Sequence, residues 1–278
     1  MNILGISCYF HDASAALLSD GKLIAAAEEE RFTRKKHDYD FPQNAIDFCL
    51  KASGISAADL DYVAFFEKPF IKFERLLLSS MQTFPRSHRV FREAMITWLG
   101  DKLWIKTLIQ KRLGVPAAKI LFSEHHLSHA ASAFLCSPFE EAGILTVDGV
   151  GEWTTASMGI GKGTDIKLIK EIRFPHSLGL LYSAFTAFLG FEVNEGEYKV
   201  MGMAPFGKSK YADKVHKLIR VSEDSSFELD MDYFSFHHSP DQTFNGKFVD
   251  LFGPPRDSKA LFFTPDTGYP SYFGDKPT

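Results

Sequence analysis

The sequence predicts an α/β fold built as two similar lobes, and three observations lead there. A β-meander occurs twice, each time beside an aspartate-bearing turn, at Phe10-His11-Asp12 and at Asp148-Gly149-Val150-Gly151-Glu152. Each meander runs on into segments with the apolar spacing of helices. With 278 residues, 45% of them apolar and 24% charged, the chain can give each half a core of its own.

In the first half, residues 2–9, 13–18 and 22–27 read as strands, with Asp20-Gly21 as the hairpin turn. Residues 28–40 are polar and strongly charged. Pro42 then introduces a helix that Gly54 closes, and 62–66 is the next strand. From 70 to 113 the pattern is helical, broken near Pro85 and ended by Gly114 and Pro116. A short strand at 119–122 leads into a helix capped by Ser123 that carries His125, His126 and His129. In the second half, 143–147, 154–160 and 166–172 are strands, 177–189 an apolar helix and 190–207 a glycine-rich loop. An amphipathic helix at 208–221 and a strand at 227–229 follow. The lobes are expected to divide into 1–135, which includes the helical insertion, and 136–278.

Composition narrows the function. A net charge of −4 gives no encouragement to nucleic-acid or membrane-surface binding, although the run from Arg31 to Lys36 suits an anion if it is more than a solvated loop. Cys8, Cys49 and Cys136 are odd in number and widely spaced in apolar contexts, which suits reduced thiols and a cytoplasmic protein. The N-terminus lacks a basic leader, and the longest apolar stretch, 177–191, is too short and too polar to span a bilayer. The 27 Phe against 3 Trp read as packing. No P-loop, nucleophile elbow or Cys-x-x-Cys pair is present in the sequence.

The chemistry gathers around the second turn. His125 and His129, four residues apart, share one helical face and can reach one cation, whereas His126 points about 100° away. The alternative is three polar residues at a helix N-terminus. Asp12 and Asp148 follow strands at turns, where a carboxylate either meets a metal–phosphate unit or closes a hairpin. Glu152 is either an orienting group or solvent-facing. Lys199 stands among glycines that permit close backbone approach to a phosphate, or is simply solvated.

The duplication resembles the two-lobed actin-like ATPase arrangement, with a nucleotide cleft between residues 10–13 and 148–152. Six strings in order sharpen this: NILGISCYFHDASAA (2–16), EEERFTRKKHDYDFP (28–42), HHLSHAASAF (125–134), TVDGVGEW (146–153), LGLLYSAFTAFLGF (178–191) and GEYKVMGMAPFG (196–207). Together they resemble the O-carbamoyltransferases of the nodulation, cephamycin and tobramycin type, over about residues 1–256.

That resemblance implies an actin-like (ribonuclease H-like) fold similar to the tRNA threonylcarbamoyl transferase. It further implies a divalent metal, iron in the family with Mg or Zn as alternatives, held by His125 and His129. By position, Asp12, Asp148, Gly149, Gly151, Glu152, Gly196 and Lys199 would line the cleft for ATP or carbamoyl-adenylate. Family enzymes make the adenylate from carbamoyl phosphate and ATP in a C-terminal domain, then transfer the carbamoyl group to a substrate hydroxyl. The base for that hydroxyl is expected to be His126 or Glu152. The sequence departs from the family by ending at Thr278, so the second lobe is expected to be truncated, and the adenylate-forming domain and a later metal-binding aspartate to be missing. Residues 260–278 also fail to resemble the expected continuation. The expected partners are a small-molecule hydroxyl acceptor and carbamoyl phosphate, with no membrane or nucleic acid and a homodimer as candidate assembly. The rival readings are an actin-like sugar kinase, a threonylcarbamoyl transferase acting on tRNA, and a non-catalytic nucleotide-binding fragment.

Overall fold

The computed structural model describes residues 1–100 and 102–259, and the tail expectation for 260–278 falls outside them. The chain divides into two compact units, Met1–Phe174 and the remainder from Pro175.

The first unit opens with β1 (Asn2–Ser7), β2 (Ser14–Ser19) and β3 (Lys22–Glu28), followed by a single turn of helix, α1 (Glu30–Thr33), and by α2 (Gln43–Ser53). Next come β4 (Tyr62–Phe65), the insertion helices α3 (Pro69–Gln82), α4 (His88–Gly100) and α5 (Ile105–Leu113), then β5 (Ile120–Phe122) and α6 (His125–Phe134). The five strands form one sheet in the order β3-β2-β1-β4-β5. β1 pairs antiparallel with β2 and parallel with β4, and β4 runs parallel to β5. An antiparallel meander thus continues into parallel strands through helical crossovers, which is the actin-like (ribonuclease H-like) arrangement. Alternate residues of β1 and β2, Leu4, Ile6, Ala15 and Leu17, turn inward onto Ile46, Cys49 and Leu50 of α2.

The second meander, β6 (Glu141–Val147), β7 (Thr154–Lys162) and β8 (Asp165–Arg173), forms its own antiparallel sheet in the order β6-β7-β8. Asp148 follows β6 as Asp12 follows β1, so the duplication is visible in strand order. The boundary expected at 135/136 falls inside the first unit: Ala130 and Phe134 of α6 share a core with Ile144 of β6 and with Ile166 and Leu168 of β8.

The second unit contains α7 (Leu178–Phe188), α8 (Glu197–Met203), α9 (Ala212–His216), β9 (Ile219–Val221), β10 (Phe227–Leu229) and α10 (Gly246–Phe252). Two expectations are corrected. The stretch 190–207 holds a helix, started where Glu197 Oε1 accepts from Asn194 N and from Ser183 Oγ of α7. The amphipathic helix of 208–221 shrinks to α9, because Ile219–Val221 pairs with β10, and strand pairing outweighs helical periodicity there. Among the described residues, no helix is long and apolar enough to cross a membrane.

Candidate functional site

The site is built on the first turn of α6. Ser123, the expected cap, bonds Glu124 O instead. The helix end is satisfied by Glu152, buried at 7% exposure, whose two carboxylate oxygens both lie 3.1 Å from His125 N. Glu152 Oε1 also accepts Lys68 N, at the start of α3, at 2.8 Å. A carboxylate at a helix N-terminus meets orphan amides and the positive end of the helix dipole. Glu152 therefore holds α3, α6 and the turn after β6 together.

With the helix so placed, three donors converge. His125 Nε2 lies 2.8 Å from Asp148 Oδ2 and 3.0 Å from His129 Nε2, and His129 Nε2 is 3.9 Å from the same carboxylate oxygen. Donor atoms of all three fall within 4.8 Å of one another. Sequence reasoning took His125 and His129 as the metal donors and put Asp148 on the nucleotide cleft, where it would meet a metal–phosphate unit or close a hairpin. The structure brings Asp148 to the histidines, because the short turn closed by Asp148 N to Thr155 O and Gly151 N to Thr154 O points it back at α6.

The electrostatics of the donors suit a cation. Burial alone would raise the Asp148 carboxyl, but the hydrogen bond and charge of His125, the Gly149 N–H and His129 outweigh it and take it down to about 2. His129 titrates below the ordinary histidine range, through burial and then through His125. Two imidazoles and an ionised carboxylate, with two ring nitrogens 3.0 Å apart, make a nitrogen–oxygen donor set that fits a divalent metal such as zinc or iron. His125 Nδ1, by contrast, is buried without a hydrogen-bond partner.

The remaining predicted residues scatter. His126 is buried at 2% exposure and turns into the sheet, with Nδ1 2.6 Å from Thr146 Oγ1 and 3.3 Å from Ser157 Oγ. Burial lowers its pKa, so it stays neutral. His126 and Glu152, the two expected bases, are both buried and bonded within the protein. Gly149 N donates to Asp148 Oδ1. Gly151 packs on the imidazole: a Cβ there would lie 3.0 Å from His125 Cβ and Cδ2. Gly196 and Lys199 belong to the second unit. A Cβ at Gly196 would lie 2.5 Å from Phe191 Cβ, and Lys199 Nζ sits over the rings of Phe191 and Tyr198.

Asp12 anchors a second cluster. Its Oδ1 is 2.8 Å from His37 Nδ1 and its Oδ2 3.0 Å from His11 Nδ1, and these bonds outweigh burial to lower its pKa. Tyr9, Asp12, Arg34 and His37 all hold positive φ, a strained set for residues with side chains. The charged stretch 28–40 is no solvated loop throughout. Glu29 is 3% exposed and accepts Asn44 N and Ala45 N at the start of α2, while Asp38 O accepts Ala13 N beside the turn.

Sequence reasoning missed a buried charge array on α3. Lys72 Nζ bonds Glu67 Oε2 at 2.6 Å and lies 4.7 Å from the Phe10 ring centroid, and Glu67 Oε2 is 3.9 Å from His125 Nδ1. This chain of contacts joins the first turn to the second. Arg75 is buried beside it, its guanidinium pushed down to about 10 by burial against the pull of Glu67 and Glu152. The available signal was Glu67 itself, an acid two residues past a buried strand, as Asp148 is one past β6.

The chain has relatives among known proteins. The chain is 52% identical over 265 residues to the uncharacterized protein sll1178 of Synechocystis sp., covering 92% of this chain and 43% of that one. It is 35% identical over 230 residues to the nodulation protein NolNO of Sinorhizobium fredii, covering 81% of this chain and 32% of that one. The chain thus spans less than half the length of both. YeaZ from Pseudomonas aeruginosa superposes at a TM-score of 0.35 with 15% identity, over 63% of this chain and 66% of YeaZ. The model of the carbamoyltransferase N-terminus matches residues 2–263, and the chain belongs to that family.

Proposed function

We propose that this chain is the transfer domain of an ATP-dependent O-carbamoyltransferase, moving a carbamoyl group from carbamoyl-adenylate to a substrate hydroxyl. The observation that carries the reading is the convergence of His125, His129 and Asp148 in a chain of carbamoyltransferase family. Carbamoyl-adenylate would come from carbamoyl phosphate and ATP through a part of the full-length protein outside this chain. A divalent cation on the three donors would supply Lewis-acid charge to the carbamoyl carbonyl or the phosphate.

In the transfer, the acceptor oxygen bonds to the carbamoyl carbon, the bond from that carbon to the phosphate oxygen breaks, and AMP leaves with the electron pair. The hydroxyl proton needs a base within hydrogen-bond reach. We assign it to His11 and not to His126 or Glu152. The His11 side chain is half exposed, and its Nδ1 pairs with Asp12 Oδ2, which leaves Nε2 to receive the proton while Asp12 steadies the resulting cation.

The test uses the full-length protein with ATP, carbamoyl phosphate and a panel of hydroxyl acceptors. AMP and a carbamoylated product are expected; ADP alone would indicate a kinase, and no AMP under any condition removes the reading. His11→Ala should lower kcat about 10²–10⁴-fold with metal content unchanged. His125→Ala and His129→Ala should lose the metal.

A further inference from the structure

We propose that Glu67 is a positioning residue for the metal site: its carboxylate accepts the Nδ1 proton of His125 when a cation is bound, and so fixes which ring nitrogen faces the cation. The inference rests on the metal reading above. Three observations carry it.

First, His125 Nδ1 is buried without a hydrogen-bond partner, although buried polar groups are rarely left so. Second, Glu67 Oε2 stands 3.9 Å from that nitrogen, and Glu67 and Lys72 are 6% and 7% exposed. Lys72 Nζ at 2.6 Å holds the carboxylate in place. Third, the His125 ring has little freedom to turn: the Phe66 ring packs edge-on at 5.5 Å, and Gly151 abuts its Cβ and Cδ2 side.

Without a cation, the 2.8 Å contact of His125 Nε2 with Asp148 Oδ2 requires the proton on Nε2. A cation needs the lone pair of that nitrogen. The neutral ring must then carry its one proton on Nδ1, where it needs an acceptor. Glu67 is the carboxylate at that edge, and a movement of about 1 Å closes the bond to ordinary length. One proton moves between the two nitrogens of one ring, and nothing is oxidised or reduced. Removing such a partner typically weakens metal affinity 10–100-fold.

The experiment titrates zinc into this chain and into Glu67→Leu, Lys72→Met and the double variant. Histidine ¹⁵N spectra are recorded with and without zinc. In the wild type, zinc should convert His125 from the Nε2–H to the Nδ1–H tautomer. Glu67→Leu, which has no acceptor, and the double variant should bind zinc about 10–100-fold more weakly. Lys72→Met breaks the same ion pair but keeps the acceptor, so it should lose stability yet bind zinc within about threefold of wild type. Because the double variant leaves no unpaired buried charge and no acceptor, it reports on the acceptor even where Glu67→Leu folds poorly. Zinc binding that His125→Ala abolishes but both Glu67 variants leave at wild-type strength overturns the inference alone. A wild type that takes up no zinc overturns the metal reading and this inference with it.

Discussion

At the scale of single residues, Gly151 shows how a correct motif can carry a different reason. In the acidic turn it reads as a glycine that lets the backbone approach a phosphate. In the structure the close neighbour is His125, whose Cβ, Cδ2 and Cγ would lie 3.0–3.1 Å from an added Cβ. Gly151→Ala should therefore displace the imidazole, at about 1–3 kcal/mol by the usual cost of overpacking. Zinc affinity should fall alongside stability, and a variant that melts early yet binds zinc at wild-type strength would show that the turn yields instead of the ring. Spacing brought out His125 and His129, since residues four apart share a face. It could not bring out Asp148 as their companion, because that depends on how the turn after β6 folds back, a contact 23 residues away. His11 was out of reach because it needs the Asp12 bond to matter, and Glu67 offered only its place just past β4, since its contacts depend on the packing of α3.

At the scale of elements, two buried glutamates do the same structural task. Glu29 takes the first amides of α2, and Glu152 those of α3 and α6. The strings around both carry the family resemblance, and in the structure each carboxylate bonds amides at a helix N-terminus. The loop after Glu29 depends on Asp38 in the same way. Burial would raise its carboxyl, but the Asp40 N–H, the Thr33 hydroxyl and Lys35 together lower it. A depressed carboxyl contributes stability above its unfolded value, near 3.9, that is lost as pH falls through the folded value. The acid limb of the wild-type stability curve should therefore steepen below about pH 4, and Asp38→Asn should flatten it. Chemical denaturation at a series of pH values measures this; coincident acid limbs would remove Asp38 from the account. The meanders were legible because strand alternation and Asp-Gly turns are local signals. The helix expected over 208–221 was not, because pairing with β10 is a tertiary effect.

At the scale of the whole molecule, the described metal donors and the aromatic core fall in different units. The three donors, the Asp12 cluster, Glu67 and Glu152 all lie within Met1–Phe174. The second unit spends its composition on an aromatic core, which is where much of the phenylalanine excess goes. Phe248 is fully buried, its ring centroid 5.1 Å from that of Phe185, 5.1 Å from Phe244 and 4.7 Å from Phe252. Truncating a buried aromatic removes its transfer free energy and leaves a cavity that rigid neighbouring rings fill poorly. Phe248→Ala should cost about 3–5 kcal/mol of stability in a urea melt. His125, His129 and Asp148 all belong to the first unit, so at temperatures where the variant remains folded its zinc affinity should match the wild type. Loss of zinc binding in step with the loss of stability would instead mean that the second unit supplies part of the site, and the donor set of His125, His129 and Asp148 would have to be enlarged.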